Sequence, residues 1–222
     1  MIDATRIARM TIELEGVEPS VRRVVDLPLA ISVADLHEII QAAMGWTNSH
    51  LYQFVVGEAS YGVPDPAWDD FEMAMRDAAR TPLADLLVGR EGRIAYVYDF
   101  GDDWLHRIAI TSLDVPKTDA LYPQFVEGVG RCPPEDVGGV TGFFEFLAAI
   151  TNPRSREHRD MLRWYGGPFD PGDIGEAQIR ERLAEIAARF ARKTARRAGP
   201  KLKGGPRTAR GTVARPRAGP RR

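Results

Sequence analysis

The chain has 222 residues, 44% of them hydrophobic and 9% aromatic, a balance that suits a globular protein with a real core. No run approaches the ~18 apolar residues that span a bilayer, and the opening Met-Ile-Asp-Ala-Thr-Arg lacks the apolar centre of a secretion signal. A single cysteine, Cys132, excludes an intramolecular disulfide, so a cytoplasmic protein is expected.

The formal net charge of −1 conceals a segregation. Residues 191–222 hold 12 Lys or Arg and no acid, which leaves 18 basic against 31 acidic side chains in residues 1–190, a net of −13. Two parts follow: an acidic globular body over 1–190 and a basic, Gly/Pro/Arg-rich tail over 191–222, expected to be disordered because it lacks core-forming side chains.

In chain order, Arg6 to Glu15 alternates apolar and polar residues and predicts a strand; Gly16 to Ser20 is a turn, and Val21 to Leu29 a second strand paired with the first. Ser32, with Asp35 three residues on, caps a helix over 33–45 whose apolar stripe is Val33, Leu36, Ile39, Ile40 and Ala43. His37 sits beside that stripe, at a boundary or exposed position, and Gly45 ends the helix. A polar loop, 46–50, leads to a strand over 51–57. Residues 59–66 read as a short strand or loop, 66–80 as weakly helical, and 82–87 as a short helix with Pro at its first position.

The densest mixture of aromatic, acidic and imidazole side chains follows. The strand over 92–99 puts Ile94, Tyr96 and Tyr98 on one face, continued by Phe100; Gly101-Asp102-Asp103 is turn chemistry; the return strand from Trp104 to Leu113 puts Trp104, His106, Ile108 and Ile110 on one face. Residues 122–139, with Cys132-Pro133-Pro134 and Gly138-Gly139, read as an ordered loop. Helices are predicted from Thr141 to about Ile150, from Arg156 to Tyr165, and from about Gly175 to Arg192. The order of elements gives an α+β fold: a mostly antiparallel sheet built from hairpins, with helices packed on one side or end.

No phosphate-binding loop, dinucleotide fingerprint, His-Glu-x-x-His, nucleophile elbow or Cys-x-x-Cys pair occurs, so no cofactor and no established metal motif is expected. One constellation carries chemistry. His50, Asp99, Asp102, His106, Glu135 and Asp136 come from three loops or strand ends that could converge at one rim, where they would either hold a divalent cation and act in metal-dependent or hydrolytic chemistry, or bond backbone groups and lock the loops together. A second reading is a binding or accessory module. In it, Trp46, Trp104 and Tyr98 meet a protein partner, and Arg196, Arg197, Lys201, Lys203, Arg207 and Arg210 tether non-specifically to nucleic acid, with no role for a membrane. That tail has no aromatic residue to stack on bases.

The segments Leu36 to Trp46 with Asn48-Ser49-His50-Leu51, Tyr98 to Trp104 with His106, Cys132 to Gly139, and Phe169-Asp170-Pro171 resemble, in the same order, the root-inducing plasmid ORF-3-like family. The resemblance covers roughly residues 5–190 and implies an α+β fold in a group often carried on plasmids or mobile elements, without a settled activity whose residues could be carried over. This chain departs from the family where Ser20-Val21-Arg22-Arg23 replaces a tryptophan-bearing segment, and the basic tail lies outside the shared region. Some relatives carry a resolvase label, but Ser20 lies in a turn without the surroundings of a recombinase nucleophile, and His158-Arg159-Asp160 lacks tyrosine-recombinase spacing.

Overall fold

A computed structural model describes residues 3–65, 75–87 and 93–198. Eight strands form one sheet: β1 (Ile7–Leu14), β2 (Val21–Pro28), β3 (Tyr52–Val56), β4 (Ala59–Gly62), β5 (Arg76–Asp77), β6 (Arg93–Tyr98), β7 (Trp104–Asp114) and β8 (Gln124–Val129). Four helices accompany them: α1 (Val33–Met44), α2 (Gly139–Ile150), α3 (His158–Tyr165) and α4 (Glu176–Ala198). The sheet order is β5-β4-β3-β6-β7-β1-β2-β8. Every pairing is antiparallel except β4 with β5. The expected α+β class, with a mostly antiparallel sheet and accompanying helices, is the one observed.

Alternation along the strands decides which face is buried. Met10, Ile12 and Leu14 of β1, Val21, Val25 and Leu27 of β2, and Tyr96, Tyr98, Trp104, His106 and Ile108 of the β6–β7 hairpin lose almost all contact with solvent. Arg9, Thr11, Glu13 and Arg107 face the other way, and Arg9 meets Asp26 there at 2.7 Å. Helix α1 begins with a reciprocal cap between Ser32 and Asp35 and ends at Gly45, whose φ of 90° suits glycine. Its apolar side, Val33, Leu36, Ile39 and Ile40, is fully buried.

Several expectations are corrected. Residues 124–129, read as loop, form β8 on the edge beside β2, because Phe125 is buried while its neighbours are half-buried or exposed. The short segment after Pro82 is a 3₁₀ turn, Leu83–Leu87, and residues 76–77, read as weakly helical, make the two-residue β5; positions 66–74 of that reading lie outside the described residues. Helix α3 starts at His158 rather than Arg156. Helix α4 runs to Ala198, so the first eight residues of the basic segment continue a helix; the expected disorder of 199–222 lies outside the described residues. His37, expected at a boundary, is buried. No helix among the described residues is long and apolar enough to cross a membrane.

Candidate functional site at the hairpin rim

The rim is built on the loop between α1 and β3, and two hydrogen-bonded ties hold that loop to the central hairpin. The first is a closed ring. Gln41 Nε2 donates to the Tyr96 hydroxyl at 3.1 Å, Tyr96 faces His37 Nδ1 at 2.8 Å, His37 Nε2 faces Asn48 Oδ1 at 2.6 Å, and the Asn48 amide donates to Gln41 Oε1 at 3.0 Å. Only one direction satisfies every member. Asn48 Oδ1 accepts, so the His37 proton is on Nε2, and Nδ1 accepts from Tyr96. Burial lowers the His37 pKa to about 4, so this neutral tautomer is the one present near neutral pH. The ring also stacks flat on Tyr52, with centroids 3.6 Å apart.

The second tie is Glu135. Its Oε1 accepts from the Tyr98 hydroxyl at 2.5 Å, and its Oε2 accepts from the Thr47 amide at 3.0 Å and from the Thr47 hydroxyl. Tyr98 in turn accepts from the amides of Ser49 and His50. Burial first, then the Glu135 carboxylate, pushes the Tyr98 phenol far above its ordinary range, so Tyr98 stays protonated and donating.

Held this way, the His50 imidazole meets two carboxylates. Nε2 lies 3.4 Å from Asp99 Oδ2 and 3.0 Å from Asp136 Oδ1, with side chains 28%, 11% and 70% exposed respectively. Nε2 itself has no solvent contact and no hydrogen bond of acceptable geometry with either oxygen. One donor atom from each of the three residues falls within 4.8 Å of the others, and His50, Asp99 and Asp136 are the group among the described residues with metal-ligand spacing. Asp99 divides its labour: Oδ1 accepts from the Gly101 amide at 2.9 Å and turns the hairpin, which leaves Oδ2 toward His50.

The backbone is strained at these positions. Four of the five non-glycine residues with positive φ among those described are Asn48 (60°), Asp99 (59°), Asp103 (54°) and Asp136 (60°). Such conformations cost about 1–3 kcal/mol each and persist where their surroundings over-determine them, commonly at functional sites.

The six residues expected to converge therefore divide. His50, Asp99 and Asp136 come together. Glu135 locks the loop, and Asp102 does likewise, its Oδ2 accepting from the Gly138 amide at the start of α2 at 3.2 Å. His106 is not at the rim. It pairs with Tyr96, two residues deeper along the hairpin than Tyr98, and is wholly buried. Its Nδ1 faces the carbonyls of Trp104 (3.0 Å) and Tyr96 (3.3 Å), so Nδ1 carries the proton, and burial lowers its pKa to about 4. Trp46, Trp104 and Tyr98, expected on a docking face, are buried and packed on one another, with Trp46 and Tyr98 ring centroids 5.0 Å apart. The period-two pattern places Tyr98 and Trp104 on the inward face, and Trp46 reaches inward to donate from Nε1 to the Pro133 carbonyl at 2.9 Å. His37, Gln41 and Asn48 lie in the family-like segments, but nothing there marked their roles, and Thr47 had no signal; the polar Gln and His flanking the apolar stripe of α1 were the available clue.

The sequence matches the plasmid pRiA4b ORF-3-like protein family over residues 6–178. The chain belongs to that family. Among its relatives, an uncharacterised protein named y4hQ from Sinorhizobium fredii is 38% identical over 193 residues, 86% of this chain and 97% of the relative. A crystal structure of a protein of unknown function, MM3350 from Methanosarcina mazei Go1, superimposes with a TM-score of 0.68 at 27% identity, covering 76% of this chain and 93% of that one. In this plasmid pRiA4b ORF-3-like protein, three of the quoted motifs form the rim: Asn48 to Leu51 delivers His50, Tyr98 to Trp104 delivers Asp99, and Cys132 to Gly139 delivers Glu135 and Asp136.

Proposed function

We propose that this plasmid pRiA4b ORF-3-like protein works through a divalent cation held by His50, Asp99 and Asp136. The observation that supports this reading is the His50 Nε2 atom, out of solvent, between two carboxylate oxygens and hydrogen-bonded to neither. One imidazole nitrogen and two carboxylates suit Mn²⁺, Fe²⁺ or Zn²⁺. Three protein ligands leave coordination positions open, as catalytic metal sites do, and the exposed Asp136 side opens them to solvent. A cation there would polarise a substrate oxygen or lower the pKa of a bound water, the basis of metal-assisted hydrolysis.

The test is calorimetric titration of metal-free protein with Mn²⁺ and with Zn²⁺, on the wild type and on His50→Ala, Asp99→Asn and Asp102→Asn. One site per chain is expected, abolished by the first two substitutions and retained in Asp102→Asn. No stoichiometric binding of either ion, or equal binding in His50→Ala, removes the proposal.

A second reading has its own support in the segregated charge. The basic segment, with Arg196 and Arg197 at the end of α4 and Lys201, Lys203, Arg207 and Arg210 beyond the described residues, would tether a cytoplasmic protein to nucleic acid through phosphates alone, as an accessory to a partner bound elsewhere.

A further inference from the structure

Helix α4 leaves the body near its C-terminal end. Leu183, Ile186 and Ala187 are buried, Phe190 packs partly on the core, and Arg189 pairs with Glu38 of α1. Beyond them, every residue from Arg192 to Arg196 is exposed. Five consecutive residues go more than once round a helix of 3.6 residues per turn, so no side of this stretch rests on the body. Its charge has one sign. The acids of α4, Glu176, Glu181 and Glu185, all lie before Arg189, and no acid follows in the sequence. Among the described residues the ion pairs of α4 are Arg180 with Glu176 and Arg189 with Glu38, which leaves Arg192, Lys193 and Arg196 without a carboxylate partner. Helical spacing places these three within about 100° of arc. Arg192 stands four residues from Arg196, where like charges repel. The macrodipole favours cations at a helix C-terminus, but an exposed turn whose charges are all cationic gains most from a polyanion.

We propose that this exposed end of α4 lies as a helix in the major groove of duplex DNA, with Arg192, Lys193 and Arg196 on the phosphates. The inference rests on the nucleic-acid reading of the basic segment and adds to it a contact that depends on helical shape as well as on charge. The groove, about 12 Å wide, admits an α-helix of about 10–12 Å diameter, and the small side chains of Thr194 and Ala195 keep the other side of this one slim. Other polyanions fit less well. A helix that lies on an anionic bilayer needs a broad apolar face carrying Leu, Phe or Trp, and from residue 191 to 198 the apolar residues are all alanine. A single strand is held by stacking its bases on aromatic rings, and no aromatic residue follows Phe190. Contacts made to phosphates position the helix without reading sequence.

The experiment is fluorescence anisotropy of a short labelled DNA duplex with the full chain, over a range of salt concentrations. It compares the wild type with Thr194→Pro and with the triple variant Arg192→Gln, Lys193→Gln, Arg196→Gln. The proline breaks the helix and leaves every charge in place. Because the stretch does not touch the body, an unchanged Tm shows that the rest of the fold is intact; a Thr194→Gly, Ala195→Gly variant loosens the same turn more mildly. Binding about 3- to 10-fold weaker than wild type is expected for Thr194→Pro at equal net charge. The triple variant should lower the slope of log K against log salt by about 2–3. If both helix-loosening variants bind as tightly as the wild type, the helical contact is overturned while the electrostatic tether stands. If the wild type shows no salt-dependent binding, both fall. Tighter binding to the matching single strand, or to phosphatidylserine vesicles, gives these cations another partner and overturns the proposal as well.

Discussion

Changing Tyr96 to Phe removes one oxygen and leaves the ring packed where it is, 4.6 Å from Phe54 between centroids. That oxygen holds two links of the closed ring, accepting from Gln41 and facing His37. Its loss strands a buried amide donor and an imidazole acceptor, each worth about 1–3 kcal/mol when left unpaired. Partial rescue by water is limited, because Tyr96 and His37 are buried. The expected loss is about 2–4 kcal/mol, read as a lower urea midpoint at unchanged slope, or as a fall in Tm of roughly 4–16 °C. Because the ring fixes Asn48 and hence the route to His50, Mn²⁺ affinity at the rim should fall as well. A loss below about 0.5 kcal/mol would show that the ring is not a closed circuit and would refute the tautomer assigned to His37.

Other expectations are simpler to state. His37 and His106 have folded pKa values near 4 against 6.5 unfolded, so each contributes stability that is complete above pH 6.5 and is lost as pH falls toward 4, up to about 3 kcal/mol apiece; urea unfolding from pH 7 to 4.5 checks this, and a flat profile contradicts it. Arg23 is buried and donates to the carbonyls of Ala43, Arg22 and Val129, so Arg23→Met should cost about 1–3 kcal/mol in chemical denaturation; a neutral or stabilising result would mean that desolvation of the charge outweighs those bonds. Fluorescence anisotropy with duplex DNA should show weak, sequence-indifferent binding that added salt abolishes and that weakens, with a shallower salt dependence, when Lys201, Lys203, Arg207 and Arg210 become glutamine; sequence preference would place recognition in the body instead.

The sequence carried most of the fold because its strands alternate cleanly and the first helix announces itself by its side-chain cap, Ser32 with Asp35. It failed at β8, where Gly128 and a register shift opposite Val24 and Val25 break the alternation. Three of the candidate residues, His50, Asp99 and Asp136, were legible because a histidine and acids gather at the hairpin turn and the loops beside it. The division among the six was not. Whether a carboxylate faces a neighbouring imidazole or a backbone amide depends on the third dimension: Asp99 and Asp102 are three residues apart, yet one faces His50 and the other holds the start of α2. His106 misled for the opposite reason, since the alternation that buried it also removed it from the rim.

The strand order has a kinetic side. The hairpin of β1 and β2 sits between β7 and β8, and β1 pairs with residues about a hundred positions later, such as Leu14 with His106. On the ribosome, at about 5–20 residues per second, this first hairpin emerges with both hydrogen-bonding edges unmatched for roughly 5–20 s before its neighbours are synthesised. Completion is thus governed by the second half of the chain, and nascent chains arrested before Asp114 would present two open edges and an apolar face to one another. Chaperone demand should therefore concentrate in that interval of translation rather than after release.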